Sequence, residues 1–211
     1  MGGENEAVAF KNEKQLESFD ITEYLARPYG QVFSFAEYSP GIFLLGIYDD
    51  GLLKLDTKSN RIERIKLDMS NIDILSFFKD DDGTIWVGAE YGIYTYKGGV
   101  IRKEEDITRQ LSDKSIYGIL RDRQGKLWIG SYAGRITIFD RDYKAVTRLD
   151  HNNGFKTNGI NSLFMDSQGG VWAATRKGIG YIKDTSKPEE FELYGYSHGL
   201  CLLYTSPSPR D

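Results

Sequence analysis

The sequence is poor in the residues that most often announce chemistry. It has one cysteine, Cys201, so a disulfide framework and a cysteine-based metal centre are both excluded. Its two histidines, His151 and His198, have no evident Asp or Ser partner, so a hydrolytic triad finds no support. No run of 18 apolar residues occurs, which leaves nothing to span a bilayer as a helix. Basic residues are outnumbered by acidic ones, 27 against 31, and a net charge of −4 argues against an electrostatic nucleic-acid binder. The first residues, Met1-Gly2-Gly3-Glu4-Asn5-Glu6, lack the basic-then-apolar order of a signal peptide. Helical periodicity is poor, and an aromatic content of 13% suits an all-β chain.

What the sequence does have is a repeat. Asp122-Arg123-Gln124-Gly125-Lys126-Leu127-Trp128-Ile129-Gly130 reads as a strand end, a turn and a second strand carrying a large aromatic. The same pattern stands 42 residues earlier at Asp80–Gly88 and 44 residues later at Asp166–Ala174. All three tryptophans, Trp86, Trp128 and Trp172, hold one position of it. An internal period of this length signals a repeat architecture.

Each unit extends beyond the turn. An apolar strand precedes it (Ile74 to Phe78, Ile116 to Leu120, Ile160 to Phe164), and its third residue is always small: Ser76, Gly118, Ser162. Asp at the first turn position and Gly at the fourth (Gly83, Gly125, Gly169) fit a type I turn, with the Asp side chain free to bond nearby backbone N–H groups. After the Trp strand come a short loop, a glycine (Gly92, Gly134, Gly178) and two further strands. Four short antiparallel strands in about 42 residues match a propeller blade. A fainter copy runs from Val32 to Leu55, with Leu44 at the Trp position and Tyr38 at the Asp position.

The expected organisation is therefore an all-β propeller fragment, an open arc of about four four-stranded blades. Residues 1–30 supply the last hairpin of a preceding blade and a linker. A degenerate blade at 31–68 and blades at 72–107, 114–150 and 158–196 follow. Residues 197–211 begin a cut blade, and the tail from Cys201 to Asp211 fits no part of the repeat. That tail resembles the translated read-through of a sequencing adapter and is set aside from fold reasoning. Such an arc would expose blade faces at both ends and self-associate.

The pattern Ile-x-Ser-Leu/Phe-x-x-Asp-x-x-Gly-x-Leu/Ile-Trp-Ile/Val-Gly-x-x-x-Gly-Ile resembles the two-component regulator propeller repeat. Residues 74–96, 116–139 and 160–182 carry it well, and 32–55 weakly. The resemblance implies seven-bladed propellers in the periplasmic sensor region of bacterial hybrid histidine kinases, many of which respond to oligosaccharides. It implies as partners a small-molecule or oligosaccharide ligand, the remaining blades, and signalling modules that lie outside this chain. With the charge balance and the lack of a long apolar run, the expectation is no nucleic acid, no membrane contact within this stretch, no cofactor and no catalysis here. A protein-interaction scaffold is the first alternative, and a propeller lyase or hydrolase the second.

The tryptophans, fixed at one repeat position, are most simply packing residues between blades. Asp80, Asp122 and Asp166 each have a turn to cap and stand in separate units, so they are read as turn residues and not as metal ligands. Ligand candidates lie on the loop after the Trp strand, since loops on a rigid scaffold carry function. They are Tyr48 and Asp49, Tyr91, Tyr132 and Arg176, whose rings suit sugar faces and whose charges suit hydroxyls or acidic substituents. The segments Asp106–Asp113 and His151–Asn158 are expected to be inter-blade loops beside them.

Overall fold

A computed structural model describes residues 6–11, 14–25, 30–69 and 72–195. Tyr196 and the Cys201–Asp211 tail, together with the expectations attached to 197–211, lie outside the described residues. The chain divides into two compact units, 1–119 and 120–211.

In the first unit, β1 (Glu6–Lys11) and β2 (Lys14–Asp20) form an antiparallel hairpin. It leads into a four-stranded antiparallel sheet in sequential order: β3 (Val32–Ser39), β4 (Ile42–Ile47), β5 (Gly51–Asp56) and β6 (Arg61–Ile65). Phe19 and Ile21, at the end of the hairpin, are buried against Leu45, Ile47, Leu53, Leu55 and Ile62 of that sheet. The next sheet holds β7 (Ile74–Lys79), β8 (Ile85–Ala89), β9 (Gly92–Lys97) and β10 (Val100–Lys103), again in sequential order. Its Ile85, Val87, Ala89, Tyr94 and Tyr96 share a core with Leu44 and Leu52 of the preceding sheet. Alternation explains the assignment: along β8 these residues fall on one face, and Trp86 falls on the other.

The small residues of the repeat have a packing reason. Ser34 Oγ donates to the Ile74 carbonyl (3.3 Å) and Ser76 Oγ to the Ile116 carbonyl (3.0 Å), so β3 and β7 are each bonded to the start of the next first strand. Beside them, a Cβ on Gly88 would come within 2.6 Å of the Ile116 carbonyl oxygen. The strands approach too closely there for any side chain.

The third sheet comprises β11 (Ile116–Arg121), inside which the division between units falls, then β12 (Leu127–Ser131), β13 (Ile136–Phe139) and β14 (Ala145–Leu149). In the second unit it is followed by β15 (Ile160–Met165), β16 (Val171–Thr175), β17 (Gly178–Ile182) and β18 (Phe191–Tyr194). A Cβ on Gly130 would meet Ile160 Cγ2 at 2.6 Å, the same close approach as at Gly88. Among the described residues the architecture is all-β: the β1–β2 hairpin and four four-stranded antiparallel sheets of the propeller-blade kind.

Two connections differ from the sequence expectation. Asp106–Asp113, read as an inter-blade loop, contains a helix, α1 (Glu105–Gln110). Ile107 and Leu111, four residues apart, are buried on its inner side, and Thr108 Oγ1 accepts the Ile93 N–H where Gly92 leaves room. Residues His151–Asn153 form a 3-10 turn closed by a reciprocal cap between Asp150 and Asn153.

Candidate functional site

The Asp–Gly–Trp motif is a closed local structure. Asp122 Oδ1 accepts the backbone N–H groups of Gln124 and Lys126, both at 2.9 Å, while Oδ2 accepts the Trp128 indole N–H at 2.9 Å. Asp166 repeats this with Gln168, Gly170 and Trp172, the last at 2.8 Å. Asp80 takes the Trp86 indole N–H at 3.0 Å. Gly83, Gly125 and Gly169 stand at φ 81°, 83° and 95°, a region unfavourable to any residue with a Cβ. The three carboxylates thus spend their lone pairs on turn and indole. Trp86 and Trp128 are buried and Trp172 is half-buried.

The loop after the Trp strand is built alike in successive blades. Its first residue, four after the Trp position, is Tyr48, Glu90, Tyr132 or Arg176. Its backbone N–H donates to the residue just before the first strand: Tyr48 to Gln31 (2.9 Å), Glu90 to Asp73 (3.0 Å), Arg176 to Gly159 (3.2 Å). The backbone therefore presents this position outward in a fixed way, and only the side chain differs. Tyr91 stands one residue later in the register than the other candidates.

In the first unit Tyr48 is exposed and belongs to an aromatic group that single-residue reading missed. The Phe33 ring lies 6.5 Å from Tyr48 and 6.1 Å, edge-on, from Tyr117. Phe33 and Tyr48 are each about half exposed, at 49% and 52%. The signal for Phe33 was present in the alternation of β3, where Phe33, Phe35 and Glu37 are exposed and Val32, Ser34 and Ala36 are half-buried. Two large aromatics on the exposed side of a strand call for an explanation.

The acidic residues around them are partly structural. Asp50 is buried, and Arg64 Nη1 bonds both its carboxylate (3.0 Å) and its carbonyl (2.6 Å). Asp49 adopts a left-handed backbone, φ 55°, with its N–H on the Asp73 carboxylate. Tyr91 is exposed, and its hydroxyl's bond to Glu90 raises its pKa.

In the second unit two candidates meet. The Arg176 guanidinium lies over the Tyr132 ring, 4.1 Å from its centroid, and Nη1 donates to the tyrosine hydroxyl at 3.2 Å. Both side chains are exposed. A planar cation parked on an aromatic face is held in place without a counter-ion.

The family model described as Two component regulator propeller matches residues 68–91, 110–133 and 154–177. Each match ends at or next to one of these loop positions. Among solved structures, the chain is similar to the extracellular domain of a protein described as a hybrid two component system from B. thetaiotaomicron. The identity is 22% and the TM-score 0.75, over 89% of this chain and 25% of that one. It is also similar to the extracellular domain of a protein described as a one component system from the same organism (22% identity, TM-score 0.67, 86% of this chain and 25% of that one). A third likeness is to virginiamycin B lyase from Staphylococcus aureus (16% identity, TM-score 0.64, 81% and 57%). At these identities the likeness is one of fold. The chain spans about a quarter of the length of the first two domains. No curated protein matches it.

Proposed function

We propose that this chain, which is built from two-component regulator propeller repeats, is part of the ligand-sensing region of a two-component sensor. In this reading it lies in the periplasm, binds an oligosaccharide, and signals to a histidine kinase module elsewhere in the parent protein. Its own part is binding and not catalysis. Binding would act by shifting the equilibrium of the attached module, which requires that the ligand hold its two states with different affinity.

One observation carries the proposal: the aromatic group of exposed Phe33 and Tyr48 with half-buried Tyr117, set on first strands and on the loop whose backbone is held alike at Tyr48, Glu90 and Arg176. Rings at about 6 Å spacing offer apolar faces to the C–H faces of a pyranose, and the tyrosine hydroxyls offer polar ends to its hydroxyls. The neighbouring loops add Asp49, Asp73 and Glu90 as acceptors for sugar hydroxyls.

The test is calorimetric titration of the 211-residue chain with neutral and acidic oligosaccharides. Binding is expected, with Tyr48→Ala and Phe33→Ala each weakening it by about tenfold, the equivalent of one stacking contact. Absence of binding to any saccharide, or binding untouched by both substitutions, overturns the reading.

A further inference from the structure

The net charges on the equivalent loops of the two units are opposite in sign. In the first unit, residues 48–50, 72–73, 90–91 and 112–115 carry Asp49, Asp50, Asp73, Glu90 and Asp113 against a single base, Lys114. In the second, residues 132–134, 156–159 and 176–178 carry Lys156, Arg176 and Lys177 and no Asp or Glu. Arg176 is the member of that set whose position is fixed by several contacts. The Tyr132 ring lies beneath its guanidinium, and the tyrosine hydroxyl takes one N–H. Gly159 lies against its stem so closely that a Cβ there would come within 3.1 Å of Arg176 Cδ and Nε. No ion pair or hydrogen bond to a carboxylate involves Arg176 among the described residues, although charged surface residues commonly find one.

We propose that Arg176, positioned by Tyr132 over Gly159, is the anchor for an anionic substituent, a carboxylate or a sulfate, on a saccharide ligand. The proposal rests on the reading of this protein as a saccharide sensor and narrows it to acidic saccharides. The guanidinium is a planar fork of five N–H donors, and one is used on Tyr132. The four that remain suit the paired oxygens of a carboxylate or sulfate, a bidentate geometry that lysine lacks. Stacking on the ring fixes the plane of the fork before the ligand arrives, which removes part of the ordering cost of binding. The exposed Lys156 and Lys177 on adjoining loops add positive potential that favours the approach of an anion.

The experiment uses the 211-residue chain, three disaccharides of similar size (one neutral, one containing glucuronate and one sulfated) and inorganic sulfate as a fourth probe. Affinity is read by calorimetry, and the side-chain Nε–H resonance of Arg176 by NMR, assigned through its loss in Arg176→Gln. Both acidic disaccharides are expected to bind at least about tenfold more tightly than the neutral one, the worth of a charge-assisted pair. Both are expected to shift the Arg176 resonance. Arg176→Gln should erase the preference, Arg176→Lys should restore only part of it, and Tyr132→Ala should reduce it while Tyr132→Phe retains most. Preference for one acidic probe alone identifies which anion the fork takes. Binding of inorganic sulfate without any preference among the disaccharides overturns the proposal, as does a preference that survives Arg176→Gln. Equal binding of neutral and acidic probes also overturns it but leaves the sensor reading standing. No binding by any disaccharide removes both. Arg176 is exposed, so these substitutions leave the core intact, and a circular dichroism spectrum verifies that.

Discussion

Trp128 and Trp172 occupy the same position in consecutive blades and have the same Asp partner, yet they live in different surroundings. Both indoles donate to the carboxylate six residues upstream, at 2.9 and 2.8 Å. Trp128 is fully buried. Trp172 is half-buried, and its ring contacts come from its own blade: Tyr181 stacked at 4.1 Å, and Phe164, itself 54% exposed, nearly parallel at 6.1 Å. The turn and the indole bond are therefore properties of the local sequence, whereas burial is a property of what lies against the blade. One motif serves both roles, and the two can be separated by mutation.

The largest effect should come from Trp128→Ala, which removes a fully buried aromatic and is expected to cost about 3–5 kcal/mol. Trp172→Ala loses two stacked rings and part of its burial, and is expected to cost about 1–2 kcal/mol. Urea melts of the two variants measure the difference directly. Equal losses would mean that the local stack, and not burial by a neighbour, sets the stability of the motif.

A smaller effect isolates the contact between blades from the motif itself. Gly88→Ala places a methyl group against the Ile116 carbonyl, and Gly130→Ala places one against the Ile160 side chain. Overpacking of this kind costs about 1–3 kcal/mol. The backbone carbonyl can yield less than a side-chain methyl, so Gly88→Ala should be the worse of the two. Thermal melts that rank them the other way would show that the strand carrying Ile116 shifts to accommodate the methyl. Neither variant should alter the Asp–Trp bond, so tryptophan fluorescence of the folded state should stay unchanged.

The division between local and non-local also explains what the sequence revealed. The Asp–Gly turn and the Trp strand span nine residues, so their chemistry is complete within the motif and repeats visibly at each copy. The fold follows, because a four-strand period of this length admits few architectures. The aromatic group was harder to see, since Phe33 and Tyr117 lie far apart in the chain and meet only in the folded first unit. Arg176 and Tyr132 were separately recognisable as loop residues at one repeat position, but their stacking depends on the closeness permitted by Gly159. Asp50 adjoins Asp49 on the same loop but is buried. Its burial comes from Arg64 on β6, a partner that loop position does not indicate. Helix α1 has six residues, too few for helical periodicity to register.

The smallest effect concerns acid. The Asp166 carboxylate is held below the usual range, first by the Trp172 indole N–H and then by backbone N–H groups of its turn, with burial opposing them. A carboxyl whose pKa is lower folded than unfolded adds stability above its unfolded value, near 3.9 for an ordinary Asp, and that stability is lost as pH falls through the folded value. Stability should therefore decline on the acid side, from about pH 5 downward, with part of the decline owed to Asp166. Trp172→Phe keeps a ring in the stack and removes the indole donor, so it should raise the Asp166 pKa toward normal and flatten that part of the decline. Asp166→Asn, with no carboxylate to titrate, should remove it altogether. Urea melts at pH 6 and near pH 3 make the comparison, and Trp128→Phe provides the contrast, since loss of its burial should appear at both pH values. A decline identical in wild type, Trp172→Phe and Asp166→Asn would show that the bond to the half-exposed indole is worth nothing in water. The turn would then owe its persistence in the fourth blade to its backbone bonds alone.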